Sequence, residues 1–355
     1  MSPQLILRVH ADARLGLGHV ARALAIEEAW RALGGTALLA ISGDGRARRV
    51  GSGRHPFLDE PLPCEALDLG ENLHAPLPAS AKGEVVLVDQ WDTTPAHIKA
   101  LRPRKVALME DDTETYEEAD LLIQPFLEGA NWGENPIKTL GTEKLRPYED
   151  RRGPCRVLLG ARFIVVSPEA QTLRPRREPL TPLSVHKLLV TFGGSDGAGL
   201  APKAFEVLRR LREENRWTGA CTVLAPGGMK LQPFPGCTVL ENIPGLVRRL
   251  PEFDAIWCAA GITLCEALCL GVPVAAWGQN ARQSSILTDL SLAGVCCDLG
   301  DGPEADLNVV TEAMAHWLSP EGQETRQEEL SAGMALVDGK GAARVAQELW
   351  KLAQG

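Results

Sequence analysis

No apolar run in the 355-residue chain approaches the roughly 20 residues that a bilayer-spanning helix needs, and its first residues lack the basic-then-apolar layout of a secretory signal. Membrane insertion is therefore not expected, and a cytoplasmic location is. A surplus of positive charge is also missing: 37 Lys and Arg against 46 Asp and Glu leave a formal net charge of −9. Nucleic acids and anionic lipid surfaces are gripped by basic patches, so neither is an expected partner, and any bound phosphate has to be held locally. Metal-ligand spacing is absent as well. The nine cysteines include an odd one, and no paired Cys-x-x-Cys units or mixed Cys/His spacing suggest zinc. Cys258, Cys265, Cys269, Cys296 and Cys297 stand in apolar segments and read as small reduced core residues. No internal repeat of short period is visible.

What is present is the composition of an ordinary globular protein, 45% hydrophobic and 23% charged. Single cores stop growing beyond roughly 250–300 residues, so two domains are expected. Short apolar runs alternate with helical patterns from the start: Leu5–Val9, a helix over Val20–Leu33, then Ala37–Ile41. Further strands are expected at Val85–Val88, Val106–Met109 and Leu121–Gln124, apolar throughout as parallel strands covered on both faces are. Residues 167–184 carry Pro168, Pro175, Pro179 and Pro182 among arginines with no apolar period. Proline at that density resists helix and central strand, which makes this stretch the expected linker between a domain over residues 1–166 and another over 185–355. Alternation then restarts with Lys187–Phe192, a helix Ala201–Glu214, Thr222–Ala225, Thr238–Leu240, Ala255–Ala259, a helix from Thr263, and Val274–Trp277. Two doubly wound, Rossmann-like α/β domains follow from that order. The tail after Gly302 reads as two or three amphipathic helices belonging to the second domain.

Three strand-to-helix turns carry the candidate chemistry. Gly16-Leu17-Gly18-His19 lies between the first strand and the first helix, where glycines admit a ligand and the helix N-terminus offers amides to an anion or a polarised oxygen. The dinucleotide fingerprint is not complete, because Ala21 stands where its third glycine would be. His19 can exchange a proton near neutral pH at the carboxyl edge of a sheet, or it can simply cap the helix. Phe192-Gly193-Gly194-Ser195-Asp196 is either an anion nest or an ordinary turn with Ser195 or Asp196 as N-cap. In Gly261-Ile262-Thr263-Leu264-Cys265-Glu266 the amides of Ile262 and Thr263 can meet a diphosphate and Glu266 the ribose hydroxyls. The alternative is a capping box between Thr263 and Glu266.

Taken in order, these stretches resemble the UDP-sugar hydrolases of pseudaminic acid biosynthesis, relatives of the transferases that add N-acetylglucosamine to lipid-linked cell-wall precursors. The matches run through Arg8 to Arg22, Val88-Asp89, Glu110-Asp111-Asp112, Leu159-Gly160, Thr191 to Asp196, Asn242-Ile243, Gly261 to Glu266, Gly271-Val272-Pro273 and Gln283. The resemblance implies the two-domain glycosyltransferase-B architecture, with the acceptor side in the first domain and the nucleotide in the second. It implies no metal and no other cofactor, and attack of water at the anomeric carbon with inversion. By the same resemblance His19 is the general base. On the sugar side stand His10, Asp12, Gly16, Gly18, Asp89, Trp91, Arg282 and Gln283. Gly193, Gly194, Ser195, Gly261, Ile262 and Thr263 hold the diphosphate, Glu266 the ribose, and Asn242 and Ile243 the uracil.

Four positions depart from the family's pattern, and all fall near the expected sugar. His10 stands for its aspartate, Asp12 for its serine, Trp91 for its tyrosine, and Arg282 for its asparagine. Exchanging tyrosine for tryptophan leaves only an indole donor where a phenol would accept as well. Hydrolysis of a UDP-linked amino- or deoxy-sugar is thus the expected reaction, with glycosyl transfer or non-catalytic binding of a nucleotide sugar as the alternatives.

Overall fold

The computed structural model describes residues 2–12, 15–56, 60–111, 113–126, 148–152, 155–176 and 178–355. Two compact units emerge: one from the described parts of Met1–Leu127, Glu143–Pro168 and Gly339–Gly355, the other built on Glu169–Asp338.

The first unit carries an eight-stranded sheet of β1 (Gln4–Ala11), β2 (Thr36–Gly43), β3 (Glu65–Asp68), β4 (Val85–Asp89), β5 (Lys105–Met109), β6 (Leu121–Gln124), β7 (Tyr148–Arg152) and β8 (Cys155–Leu159). Their order is β3-β2-β1-β4-β5-β6-β8-β7, parallel except for β7, which runs antiparallel to β8. β1 is buried from Leu5 to Ala11, because helices cover both faces of a parallel sheet and leave no polar side. On one face the helix Gly18–Ala32 lays Val20, Ala23 and Trp30 over Leu5, Leu7 and Val9.

The same core takes in the last helix, Gly341–Gln354, through Ala342, Val345, Ala346 and Leu349, with the Trp30 and Trp350 rings 4.9 Å apart. This corrects the expected placement of the whole tail with the second domain. Of the three tail helices, Leu307–Leu318 and Gln323–Leu336 stay with the second unit, and the third returns because its apolar stripe is part of the first unit's core. The expected linker is also not helix-free: Pro168–Leu173 forms a short helix with Pro168 at its first position, where no N–H is needed.

The second unit's sheet comprises β9 (Lys187–Thr191), β10 (Ala220–Leu224), β11 (Cys237–Leu240), β12 (Ala255–Ala259), β13 (Val274–Gly278) and β14 (Cys297–Asp301), all parallel, in the order β11-β10-β9-β12-β13-β14. Phe192 stacks on Trp277 at 5.6 Å, and Trp277 meets Trp257 at 4.6 Å, so the strand ends that open toward the next turns are anchored by buried aromatics. Cys258, Cys265, Cys269 and Cys296 are buried free thiols as expected, while Cys297 is half-buried.

Both sheets thus follow the 3-2-1-4-5-6 strand order of the doubly wound fold in their first six strands. The order reverses between β1 and β4 in one unit and between β9 and β12 in the other. Ligands of open α/β sheets bind outside the carboxyl ends of the strands at such a reversal.

Candidate functional site

At the first reversal, β1 ends in His10 and Ala11, β4 ends in Asp89, and the glycine turn delivers the helix that carries His19. The helix N-cap is Leu17, with no side-chain capping bond, so His19 is not a cap. Its Nδ1 lies 2.7 Å from Asp89 Oδ1. Arg22, one turn further along the helix, donates from Nε to Asp89 Oδ2 at 2.7 Å and from Nη2 to Oδ1 at 2.6 Å. Its Nη1 pairs with the Glu110 carboxylate.

Burial alone would push the Asp89 carboxyl up, but Arg22 and His19 outweigh it and hold Asp89 well below the usual carboxylate range. An ionised Asp89 can only accept, so it takes the Nδ1 proton of His19, which in the neutral ring leaves the lone pair on Nε2. Nε2 has no hydrogen-bond partner among the described residues. Trp91 meets the imidazole edge-on, with ring centroids 5.8 Å apart. Two residues of this edge, Asp92 at φ 58° and Glu110 at φ 53°, are left-handed without being glycine. Each such residue costs about 1–2 kcal/mol, a strain that tends to collect at functional sites.

A second polar chain lies alongside. Arg8, fully buried, donates to Ser42 Oγ at 2.9 Å and to the Leu73 carbonyl at 2.7 Å. Ser42 Oγ also lies 2.9 Å from His10 Nδ1. His10 Nε2 faces Asp12 Oδ2 at 3.4 Å, an acceptor that suits a ring proton on that nitrogen. Burial lowers the His10 pKa, opposed in part by Asp12, which suits this neutral form. Asp12 also shapes the glycine turn, accepting from Leu15 N at 2.7 Å through Oδ1 and from Gly16 N at 2.8 Å through its carbonyl. Gly16 has φ +69°, and a Cβ at Gly18 would meet nothing within 4 Å.

At the second reversal, Gly193 has φ +83°, and a Cβ on it or on Gly194 would meet nothing within 4 Å. The N-cap of the adjoining helix Leu200–Glu213 is Gly199, not Ser195 or Asp196 as expected, and the Asp196 carboxylate reaches in from the turn to accept from Leu200 N at 2.8 Å and Ala201 N at 2.9 Å. Those amides are therefore served by Asp196, and the Gly193-Gly194-Ser195 backbone is left out of it. The helix Ile262–Leu270 has Gly261 as its N-cap, with no side-chain bond to the first-turn amides. That overturns the capping-box alternative, since Thr263 lies inside the helix and Glu266 is a buried residue one turn in.

Arg282 and Gln283 open the helix Ala281–Leu292, capped by Asn280, which accepts from Gln283 N at 3.0 Å. Gln283 Oε1 accepts from Gln279 N at 3.1 Å, and its Nε2 lies 3.8 Å from where a Gly261 Cβ would stand. Exposed Asn242 and half-buried Ile243 follow β11, two strands from β9.

The structure therefore brings His19, Asp89 and Trp91 together, pairs His10 with Asp12, and sets Gln283 beside Gly261. Asp112 lies outside the described residues. The members of the site missing from the sequence expectation are Arg22 and Glu110. Their signals were available: Arg22 follows His19 by three positions, one helical turn, and Glu110 directly follows an expected strand.

No protein-family model matches the chain. It is 25% identical over 200 residues to the spore coat polysaccharide biosynthesis protein SpsG of Bacillus subtilis (strain 168), a match spanning 55% of this chain and 58% of that protein. Among solved structures it resembles the spinosyn forosaminyltransferase SpnP, at 14% identity and a TM-score of 0.59 over 98% of this chain and 99% of that one. MurG of Acinetobacter baumannii gives 13% and 0.58 over 98% and 100%. UGT2 of Phytolacca americana, complexed with UDP-2fluoro-glucose and pterostilbene, gives 12% and 0.59 over 99% and 100%. At these identities the likeness establishes the fold, which is the glycosyltransferase-B architecture of two Rossmann-like domains.

Proposed function

We propose that this chain is an enzyme acting on a UDP-activated sugar, with His19 as the general base. The observation that carries the reading is the His19–Asp89 pair at the β1/β4 reversal, with its Nε2 lone pair free among the described residues. In the proposed reaction Nε2 takes the proton of an attacking O–H while that oxygen bonds to the anomeric carbon from the face opposite the leaving group. The bond from the anomeric carbon to the diphosphate oxygen breaks, and UDP leaves with the electron pair. Asp89 keeps the imidazole in the right tautomer and balances the charge it gains.

The diphosphate is assigned to the uncapped amides of Ile262 and Thr263 behind the Gly261 turn and to the open Gly193-Gly194 turn, with Ser195 beside it. Glu266 takes the ribose. Asn242 and Ile243, two strand spacings from β9 or about 10 Å, stand at a nucleoside's reach for the uracil. His10, Asp12, Gly16, Gly18, Trp91, Arg282 and Gln283 are proposed for the sugar side.

Transfer to an acceptor hydroxyl is the reading the comparisons favour, since SpnP is a forosaminyltransferase and the UGT2 structure pairs a UDP-sugar analogue with a second small molecule. SpsG, a polysaccharide biosynthesis protein, also points to sugar chemistry. Hydrolysis stays as the second reading because His19 is only 7% exposed, which favours a nucleophile as small as water. Incubation with UDP-linked amino- and deoxy-sugars separates the two. UDP released only when an acceptor is added is the expected result, and UDP plus free sugar without one would establish hydrolysis. No turnover under either condition, in protein that binds UDP, would remove His19 as a base and leave a binding protein.

A further inference from the structure

The second unit holds a pair of thiols that the proposed reaction does not use. Cys221 on β10 and Cys237 on β11 stand directly opposite each other in the parallel register, 2% and 8% exposed in the same core. β11 is the edge strand of its sheet and only four residues long. Neighbouring strands run about 4.8 Å apart, inside the range of Cα separations that a disulfide spans. Their Cβ atoms need approach by only about 1 Å to reach the bond's mean of about 3.8 Å.

The surroundings set this pair apart from other cysteines of the chain. The two thiols hydrogen-bond to each other, which lowers the Cys237 pKa against burial and raises that of Cys221, where burial adds to the effect. Arg212, in the last turn of the helix Leu200–Glu213, favours the thiolate at both. Its guanidinium lies against Gly236, the residue before Cys237, where an added Cβ would stand 3.1 Å from Cζ. One arm donates to the Gly219 carbonyl, while Nε, shielded from solvent, has no hydrogen-bond partner among the described residues. Cys64, Cys155 and Cys297, by contrast, are pushed up to about 12, with burial the largest cause.

We propose that Cys221 and Cys237 are a redox site of the second unit, closed to a disulfide by a peroxide with Cys237 as the attacking thiol and Cys221 as the resolving one. The Cys237 sulfur gives an electron pair to one peroxide oxygen, the O–O bond breaks, and the leaving hydroxide takes the thiol proton to become water. The Cys221 sulfur then displaces the hydroxyl of the Cys237 sulfenic acid, which departs as a second water with the Cys221 proton. Two thiols thus lose two electrons to one peroxide. Drawing the Cβ atoms together moves β11 more than β10, because β10 is held by β9 as well. β11 ends at Leu240, two residues before Asn242, so closure reaches the turn proposed for the uracil, and this consequence alone rests on the proposed function.

The test treats reduced protein with a small excess of hydrogen peroxide and maps its disulfides by mass spectrometry of peptides. A Cys221–Cys237 link reversed by dithiothreitol is expected, together with a sulfenic acid trapped by dimedone on Cys237 in Cys221→Ser. No link between these two cysteines in folded, oxidised protein, or a different pair linked first, would overturn the proposal. A sulfenic acid trapped on Cys221 in Cys237→Ser, with none on Cys237 in Cys221→Ser, would overturn the roles assigned to the two thiols. Should either variant fail to fold, the map of the wild-type chain decides. Calorimetry then compares UDP affinity before and after oxidation, and a several-fold loss that Cys221→Ser does not show is expected. Unchanged affinity in fully linked protein would refute the movement of β11. UDP binding already absent before oxidation would count against the nucleotide reading and leave the mapped link standing.

Discussion

At the scale of single residues, two carboxylates and one imidazole separate the proposed chemistry from mere binding. His19→Asn keeps a hydrogen bond to Asp89 and much of the ring's shape but cannot take a proton near neutral pH. Turnover is expected to fall by about 10²–10⁴-fold while UDP affinity stays within a few-fold, measured by product release and by calorimetry. Retained activity would leave His19 as part of the turn alone. Glu266→Gln tests the other unit, because a buried carboxylate serving the ribose hydroxyls would become an amide that has to offer one of them a donor. UDP binding should weaken by about 1.5–3 kcal/mol, and unchanged affinity would give Glu266 a purely structural place. His19 and Glu266 stood out in the sequence because each follows a glycine turn between strand and helix within a helical turn or two. Arg22 and Glu110 fell within matching stretches but were given no role, since their pairing spans 88 positions.

At the scale of elements, helix ends do much of the positioning. Asp196 accepts from two amides at the start of the helix Leu200–Glu213, where Gly199 offers no side-chain cap. Asp196→Ala is expected to lower stability by about 1–2 kcal/mol, read from a shift in the denaturation midpoint, and no shift would mean that the turn holds itself. Arg174 ties two helix C-termini, donating to the Cys269 carbonyl at 2.8 Å, to Met334 at 2.6 Å and to Val337 at 2.8 Å. A cation suits carbonyls left without intrahelical partners. Glu329 works the opposite way. Burial pushes its carboxyl up to about 7, with the Trp317 N–H and Arg326 opposing only in part.

Because the folded value lies above the unfolded one, near 4.5, the stability tied to the protonated form is fully present below about pH 4.5 and is lost as pH rises through 7. The loss is at most about 3 kcal/mol. Glu329→Gln, which keeps an acceptor for Trp317, should flatten this part of the thermal-midpoint profile between pH 5 and 8. An unchanged slope would mean that the carboxyl is already ionised at low pH.

At the scale of the whole molecule, the returning helix Gly341–Gln354 carries the strongest expectation. Val345 and Leu349 are fully buried in the first unit's core, and each such side chain is worth about 1.5–3 kcal/mol. A Cβ at Gly341 would stand 1.9 Å from the Ile164 carbonyl oxygen, so even Gly341→Ala has to shift backbone. Removal of residues 339–355 should destabilise the first unit and abolish turnover while UDP binding by the second survives, as calorimetry of the truncated chain would show. Loss of UDP binding together with turnover would mean that the units do not fold independently.

The sequence by itself determined the alternation of strands and helices, the all-apolar strands of two parallel sheets and the glycine turns at their carboxyl ends, because period, burial and turn chemistry are local properties. It missed β3, β7, β8 and β14, whose residues lack a long apolar run. Strand order, the home of the last helix, the N-cap at Gly261, the reach of Asp196 to the next helix and the ion pairs beside His19 were decided only by tertiary structure. Each depends on which distant segments come into contact, and one helical stripe or one isolated acid reads the same in sequence whichever partner it finds.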